Sequence, residues 1–241
     1  MPSHGSMRIR DIELIAFGGV QPPASSERVI YLHKGPDFLS RLDRVVVAVA
    51  PVRMVEIGIF HGGSAIYWHH RLGLERLTLL DIAPGAPQLE KYLQRHSLEG
   101  TVRAHFGVSQ DDSETVRRLV SEDTAGAAID VIIDDASHMY SPTLASLECL
   151  FPMVRPGGAY VIEDWAWGHC QGWPVDSWSE HPLVSPLIAE AILVCGRMTG
   201  IIDRVEIDRD YAVLWRGNTA LPQDGSFRLK DHYFARDFAL P

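Results

Sequence analysis

From residue 52 onward, short apolar runs alternate with segments that have the apolar spacing of a helix. Five runs rich in β-branched residues are predicted as strands, at 52–60, 77–82, 101–107, 129–134 and 159–164. The segments between them are predicted as helices, at 63–73, 87–96, 113–122 (with Ser113 near its N-cap) and 141–154 (closed by Pro156 and Gly157-Gly158). Strands that are separated by helices form parallel sheets through right-handed crossovers. The sequence therefore predicts an α/β fold with a doubly wound, mostly parallel sheet.

The chain changes pattern after the fifth predicted strand. A helix is predicted over 183–195, and residues 205–215 are predicted as two strands that turn at Arg209-Asp210. A hairpin of this kind adds an antiparallel edge to an otherwise parallel sheet. We therefore expect a Rossmann-like sheet of seven strands with an antiparallel hairpin at its C-terminal edge.

The segment before residue 52 lacks a strand pattern and contains one predicted helix at about 37–50. It is expected to be an N-terminal cap on the main domain. The predicted parts of the chain are the cap at 1–51, the main domain at 52–217 and a C-terminal extension at 218–241.

Composition narrows the class of protein. The 241 residues are 46% hydrophobic, which is enough for a large core, and the net charge of −9 argues against nucleic acid or an anionic membrane as partner. The polar start and the lack of an 18-residue apolar run predict neither a secretion signal nor a membrane span. Cys149, Cys170 and Cys195 form no CxxC pair, which indicates reduced thiols in a cytoplasmic protein.

A glycine-rich turn joins the first strand of the main domain to its first helix. It runs from Glu56 to Ser64 as E-x-G-x-x-x-G-G-S. In doubly wound sheets ligands bind at the carboxyl ends of the strands, and Gly58, Gly62 and Gly63 allow a close approach of the backbone. The spacing differs from the G-x-G-x-x-G of dinucleotide sites, which disfavours a nicotinamide cofactor. A plain glycine-rich turn without a ligand is the alternative.

Acidic pairs follow the fourth and fifth predicted strands, at Asp134-Asp135 and Glu163-Asp164. One helix fits between them, so the two strands should be neighbours with both pairs at one edge. Carboxylates crowded on one edge repel each other unless a cation is present, and oxygen ligands suit Mg²⁺, or else Mn²⁺ or Ca²⁺. We predict Asp135, Glu163 and Asp164 as metal ligands. The side chain of Asp134 should diverge from that of Asp135, toward a cofactor or the first-strand loop.

His138 follows Asp135 by three residues, in the turn that leaves the fourth strand. A divalent ion lowers the pKa of a hydroxyl that it binds, and a base must then take the proton. An ordinary imidazole pKa near 6.5 suits that task, so His138 is predicted as the catalytic base. The alternative is a histidine at a helix start that bonds to a backbone group.

The segment 133–165 carries D-x-S-H after the fourth strand and P-G-G-x-Y-V-I-E-D at the fifth. Together with the glycine-rich turn, it resembles class I S-adenosylmethionine-dependent O-methyltransferases of the macrocin, mycinamicin and rhamnosyl branch, which is also labelled cephalosporin hydroxylase. The resemblance is specific over residues 52–165. It implies methyl transfer to a deoxysugar hydroxyl of a glycosylated natural product, with Mg²⁺ on Asp135, Glu163 and Asp164 and with His138 as base.

The same resemblance implies where the methyl donor binds. Asp81 would bind the ribose hydroxyls, because a carboxylate accepts two hydrogen bonds from a diol. The loop with Ser109, Gln110 and Asp111 would border the adenine, although an N-cap cluster explains these residues equally well. The full set of residues expected to bind S-adenosylmethionine is Glu56, Gly58, Gly62, Gly63, Ser64, Asp81, Ser109, Gln110 and Asp134.

Other functions stay open at this stage. The acceptor could be a catechol or another vicinal diol, although catechol-type relatives usually carry a lysine base and an Asp-Asn metal pair. A non-catalytic protein of a hydroxylase pathway could share the fold, but the intact acidic edge argues against it. A dinucleotide oxidoreductase is disfavoured by the glycine spacing.

The stretch 165–181 is a tryptophan-rich insertion, with indoles at Trp165, Trp167, Trp173 and Trp178. Aromatic faces suit stacking on a sugar or a flat aglycone, but core packing or a contact in a homo-oligomer explains them equally well. His169 and His181 are candidates to reach the same site. Residues 31–35 (YLHKG) are a candidate lid over the cofactor.

Overall fold

A computed structural model of the protein describes residues 3–170 and 182–234. The strands in these ranges are β1 (Ser3–Ile9), β2 (Ile12–Gly18), β3 (Val29–Leu32), β4 (Arg53–Ile57), β5 (Arg76–Asp81), β6 (Val102–Phe106), β7 (Ile129–Asp134), β8 (Val154–Glu163), β9 (Ile202–Ile207) and β10 (Tyr211–Arg216). The helices are α1 (Pro36–Val49), α2 (Gly63–Arg71), α3 (Pro87–Arg95), α4 (Ser113–Thr124), α5 (Tyr140–Leu150) and α6 (Ser185–Gly196). Of the helices described, none is both long and apolar enough to cross a bilayer.

The main sheet has seven strands in the order β6-β5-β4-β7-β8-β10-β9. The five strands from β4 to β8 are parallel, whereas β10 is antiparallel to both β8 and β9. The doubly wound sheet with an antiparallel hairpin at its C-terminal edge is confirmed, including the turn at residues 208–210. In this order β4 and β7 are neighbours, so the strand order switches from one side of β4 to the other next to the glycine-rich turn.

Apolar side chains cover both faces of the large sheet. All six residues of β7 are buried, including Asp130 and Asp134, so the apolar residues Val131 to Ile133 follow one another instead of alternating with polar ones. Val131 and Ile133 lie in a cluster with α1, α2 and α3 on one face, and Ile132 lies in a cluster with α4, α5 and α6 on the other. Because helices cover both faces of the central strands, only the ends of these strands are accessible to a ligand.

The largest differences from the predicted element ends lie between α5 and β8. α5 ends at Leu150 and a 3₁₀ turn that contains Pro152 follows, because proline has no N–H for the helical hydrogen bond. β8 then begins at Val154, so Pro156 and the two glycines lie within the strand, where its register against β7 is irregular. Ser113 lies next to the N-cap of α4, as predicted, and the N-cap itself is Asp112, whose carboxylate accepts the N–H of Thr115.

The prediction that residues 1–51 lack strands was wrong. β1 pairs antiparallel with β2, and β2 pairs parallel with β3, in a separate three-stranded sheet. β1 has the mostly polar sequence SHGSMRI, and in β2 only alternate residues such as Ile12 and Leu14 are fully buried. A short sheet that is buried on one face gives a weak apolar signal, which explains the miss.

The small sheet packs against the start of α2 through Gly63. A Cβ atom at this position would lie 2.5 Å from the carbonyl oxygen of Tyr31 and 2.7 Å from the Cα of Leu32. Both of these residues belong to β3. The absence of a side chain at Gly63 therefore lets β3 lie across the end of β4 and brings residues 33–35 to the carboxyl edge of the main sheet.

We expect Gly63→Ala to lower the free energy of unfolding by roughly 1–3 kcal/mol, because the added methyl group meets backbone atoms that cannot move aside. Gly73→Ala is the matched control, since no atom lies within 4 Å of a Cβ there. Urea unfolding of both variants and the wild type measures the difference. Equal stability of the two variants would contradict the close packing of β3 on α2.

Candidate active site

The carboxyl ends of the parallel strands open into a cavity of about 1000 Å³. Its wall is formed by residues that follow β4, β5, β6, β7 and β8, and it is completed by the segment between β3 and α1 and by the β9–β10 turn. The residues that the sequence assigned to a cofactor and to a metal therefore border one space. Open α/β sheets bind their ligands at this edge.

The glycines of the first turn allow close packing of the chain on itself, and two of them also line the cavity. Gly58 and Gly62 have φ angles of 93° and 81°, which disfavour residues with a side chain. A Cβ at Gly58 would lie 2.0 Å from the carbonyl oxygen of Asp135, and one at Gly62 would meet Leu89. Gly58 and Gly63 line the cavity and Gly62 does not, so the expected cofactor contact of Gly62 is not supported.

Asp81 lies on the cavity wall, as expected, and holds the first turn in place. One carboxylate oxygen accepts the N–H groups of Ile59 at 2.6 Å and Phe60 at 3.1 Å, and the other accepts that of Ala83 at 2.7 Å. These bonds orient the carboxylate at the end of β5. The remaining lone pairs are available to a diol.

Glu56 and Ser64 lie at opposite ends of the first turn. Ser64 lines the cavity, whereas Glu56 is fully buried and does not. Neither carboxylate oxygen of Glu56 forms a hydrogen bond of ordinary geometry with a described residue, although the Ser64 hydroxyl is near enough to lower its pKa. Burial raises the pKa of Glu56 to about 7, although the nearby ammonium of Lys34 opposes the shift. A direct contact between the Glu56 side chain and a cofactor is therefore not supported.

Ser109 and Gln110 line the cavity, but Asp134 does not. Asp134 is buried behind the wall, where it accepts hydrogen bonds from Ser146 at 2.6 Å, Tyr160 at 2.9 Å and Gln110 at 3.1 Å. The expectation that Asp134 binds the cofactor is thus corrected. Alternation along β7 turns its side chain away from that of Asp135, and burial raises its pKa.

Gln110 connects this buried network to the loop that carries the acidic edge. Its amide nitrogen donates to Asp134, and its amide oxygen accepts the backbone N–H of Ser137 at 3.0 Å. The loop from Asp135 to His138 is therefore held from behind by a fully buried carboxylate. This indirect role is the one that the structure gives to Asp134.

Asp135, His138 and Asp164 converge on the cavity wall. One possible ligand atom from each lies within 4.8 Å of the others. Nε2 of His138 is 3.9 Å from Oδ1 of Asp135 and 3.9 Å from Oδ2 of Asp164, too far for hydrogen bonds and close enough to share a ligand between them. This group contains two of the three predicted metal ligands, Asp135 and Asp164, together with His138, and it does not contain Glu163.

Glu163, the third predicted metal ligand, lies next to a residue that the sequence did not single out for chemistry. Nζ of Lys34 is 2.7 Å from Oε2 of Glu163 and 2.5 Å from Oδ2 of Asp135, and its side chain is 3% exposed. Burial lowers the pKa of Lys34, but the surrounding carboxylates raise it more, so the net shift is upward. Lys34 was visible only as part of the candidate lid at residues 31–35.

The donor set fits a divalent ion. Oε1 of Glu163 is buried and has no hydrogen-bond partner among the described residues, and Glu163 lines the cavity. Burial and the neighbouring carboxylate of Asp135 raise the pKa of Glu163 well above its usual range, and the same two causes raise that of Asp164. A hard cation bound by these oxygens would remove that repulsion.

Three residues on the cavity wall hold a backbone conformation that non-glycine residues rarely adopt. Phe60, His138 and Asp164 have φ angles of 49°, 55° and 51°. The N–H of Asp164 donates to the carbonyl oxygen of Asp210 at 2.7 Å, and the carbonyl oxygen of His138 accepts the indole N–H of Trp167 at 3.1 Å. Strained residues that are held by such contacts cluster at functional sites.

The tryptophan-rich insertion contributes partly to the site. Trp167 lines the cavity, while Trp165 donates its indole N–H to the carbonyl oxygen of Asp208. His169 is bonded to Ser185 and does not line the cavity, so the suggestion that it reaches the site is not supported. The other residues proposed for this loop, Trp173, Trp178 and His181, lie outside the described residues.

Comparisons with known proteins agree with this geometry. Residues 55–165 match the family model described as "Methyltransferase domain". The 8-demethyl-8-(2-methoxy-alpha-L-rhamnosyl)-tetracenomycin-C 3'-O-methyltransferase of Streptomyces olivaceus is 34% identical over 51% of this chain and 30% of its own length. The mycinamicin VI 2''-O-methyltransferase of Micromonospora griseorubida is 33% identical over 47% of this chain and 27% of its own length. The chain thus spans less than a third of these curated relatives.

A solved methyltransferase structure is also similar to this chain. The MycE methyltransferase from the mycinamycin biosynthetic pathway, in complex with Mg, SAH and mycinamycin VI, has a TM-score of 0.58 and 26% identity. It covers 75% of this chain and 50% of its own. With the doubly wound sheet and the glycine-rich turn, these matches make residues 55–165 similar to the methyltransferase domain of class I S-adenosylmethionine-dependent O-methyltransferases of the macrocin, mycinamicin and rhamnosyl branch.

Proposed function

We propose that the protein transfers the methyl group of S-adenosylmethionine to a hydroxyl of a deoxysugar, such as rhamnose, on a glycosylated natural product, with Mg²⁺ at the acidic edge. One observation carries the proposal. Asp135, His138 and Asp164 converge on the wall of the same cavity that the glycine-rich turn and Asp81 line. The groups needed for a methyl donor and for an activated hydroxyl therefore border one space.

The cavity divides into two ends. The ends of β4, β5 and β6 supply Ser64, Asp81, Ser109 and Gln110, which suit the hydroxyls and the base of a nucleoside. The ends of β7 and β8 supply the acidic groups and the imidazole. At about 1000 Å³ the cavity is at the upper end of ordinary small-molecule sites, which supports a donor and an acceptor bound together.

Asp135, Glu163 and Asp164 are the residues that would hold Mg²⁺. When bound there, the ion would lower the pKa of the acceptor hydroxyl. The chain contributes the positions of these oxygens: β7 and β8 are adjacent and parallel, and the N–H of Asp164 is bonded to Asp210.

His138 is the base in this proposal. Its Nε2 lies 3.9 Å from the carboxylates of Asp135 and Asp164, so an imidazolium formed there gains electrostatic stabilisation from both. The bond from Trp167 to its carbonyl oxygen fixes the backbone of the loop, and the bond from Ser137 to Gln110 fixes the preceding residue. The proton of the acceptor hydroxyl would go to Nε2 as its oxygen forms a bond to the methyl carbon, while the bond from that carbon to the sulfonium sulfur breaks and S-adenosylhomocysteine leaves.

The names of the relatives support a sugar hydroxyl as acceptor, because they describe methylation of rhamnosyl-tetracenomycin, demethylmacrocin and mycinamicin VI. Trp167 and Phe60 add aromatic surface to the cavity wall, which suits the apolar face of a sugar or its aglycone. A purified enzyme that methylated a catechol but no rhamnosylated scaffold would contradict this choice of acceptor.

We expect EDTA to abolish methyl transfer while S-adenosylhomocysteine still binds with nearly unchanged affinity. The reason is that the acidic edge and the nucleoside end of the cavity use different residues. Radioactive methyl transfer and calorimetry measure the two properties, and added Mg²⁺ should restore the first. Full turnover in the chelator would rule out the metal role.

We expect His138→Ala to lower kcat by about 10²–10⁴-fold, since the variant lacks a base beside the acceptor hydroxyl. His70→Ala is the matched control, because His70 is exposed at the end of α2, outside the cavity wall. Single-turnover rates with saturating donor measure the chemical step directly. A His138→Ala rate within about threefold of the control would exclude His138 as the general base.

A further inference from the structure

Lys34 is a buried cation among groups that are expected to bind another cation. Its ammonium contacts one oxygen of each of two carboxylates, Oδ2 of Asp135 and Oε2 of Glu163. The second oxygen of each carboxylate has different surroundings. Oδ1 of Asp135 is the atom near His138, and Oε1 of Glu163 has no hydrogen-bond partner among the described residues.

We propose that Lys34 is a positioning residue of the metal site: its ammonium fixes Asp135 and Glu163 by one oxygen each and leaves their second oxygens directed to the ion. This inference rests on the proposed function, since it needs Mg²⁺ at the acidic edge. Lys34 does not touch the reacting atoms in this role. It acts through the two carboxylates, as outer partners orient the ligands of other metal sites.

The segment that carries Lys34 is built to hold the ammonium there. Gly63 admits β3 across the start of α2, and α1 begins at Pro36, only two residues after the lysine. The ring of Phe38 lies 5.6 Å from Nζ, on the first turn of α1. The backbone on both sides of Lys34 is therefore anchored. From this position its side chain extends to the carboxylates of Asp135 and Glu163.

The opposite possibility is that Lys34 occupies the place of the ion and leaves when Mg²⁺ binds. Geometry separates the two cases. A displaced ammonium has to leave a position with 3% exposure and find another partner. A retained ammonium keeps its two contacts, because Mg²⁺ can use Oδ1 of Asp135, Oε1 of Glu163 and the carboxylate of Asp164. The two cases predict opposite changes in Mg²⁺ affinity when the charge is removed.

We expect Lys34→Met to weaken Mg²⁺ binding by about 10–100-fold, as found when outer partners of metal ligands are removed. Titration calorimetry of the intact protein with MgCl₂ measures it, with S-adenosylhomocysteine titrated in parallel and expected to bind as in the wild type. Lys91→Met is the matched control, since Lys91 forms an exposed ion pair with Glu27. Circular dichroism verifies that each variant is folded.

The outcomes separate this inference from the proposed function. A wild type that binds no Mg²⁺ overturns both. Wild-type binding with equal or tighter affinity in Lys34→Met overturns only the role of Lys34, and weakened S-adenosylhomocysteine binding with unchanged Mg²⁺ affinity assigns its ammonium to the cofactor instead.

A measurement on the wild type keeps the inference testable if Lys34→Met does not fold. A buried, paired ammonium exchanges its protons slowly and gives a ¹⁵N-correlated NMR signal, assigned here with the Lys34→Arg variant. We expect the signal to persist in saturating Mg²⁺. Its loss on Mg²⁺ addition would show displacement and overturn the positioning role.

Discussion

Two neighbouring parallel strands end in carboxylates that lie close together, with Glu163 buried and Asp135 24% exposed, and much of the surrounding structure follows from this constraint. Because β7 and β8 pair in parallel, Asp135 and Glu163 emerge at the same edge. Two ionised carboxylates close together in a buried site destabilise a fold unless a cation lies between them. Lys34 supplies that cation from a distant part of the chain.

Placing the ammonium requires the N-terminal segment to cross the strand ends, and other contacts hold it there. Arg41 of α1 pairs with Asp208 and Asp210 in the β9–β10 turn, and the carbonyl oxygen of Asp210 accepts the N–H of Asp164. The edge hairpin, α1 and the acidic edge are therefore linked by charge and by hydrogen bonds. This linkage accounts for a left-handed backbone at Asp164, which an isolated turn would avoid.

The sequence predicted the parts of the fold whose signals are local. Buried parallel strands give continuous apolar runs, and the positions of β4 to β8 follow from them. The pairing of Asp135 with Asp164 across two strands also follows, because one helix between two strands implies adjacency. The directions of Asp134 and Asp135 diverge as the alternation of a strand requires, but the pattern alone does not show which of them faces the cavity.

Other features depend on contacts that no local pattern records. The partners of Lys34 lie more than 100 positions away in sequence, and its burial depends on β3, a strand with a weak signal. Gly62 and Gly63 have a pattern typical of ligand binding, yet Leu89, Tyr31 and Leu32 already occupy the space beside them. A glycine-rich turn can therefore indicate close packing of the chain on itself as much as an approach to a ligand.

The charges at the acidic edge suggest why the family chemistry suits this arrangement. Four negative charges lie here when Glu56, Asp135, Glu163 and Asp164 are ionised. The ammonium of Lys34 contributes one positive charge. In the proposed complex a divalent cation would reduce the excess of these four groups to one negative charge, and the sulfonium of S-adenosylmethionine would add one positive charge. Burial raises the pKa of Glu56 to about 7 and that of Glu163 above its usual range, as expected for an edge with too few cations. In the proposed reaction the sulfonium becomes a neutral thioether, so the product would lose the attraction to these carboxylates that the donor has.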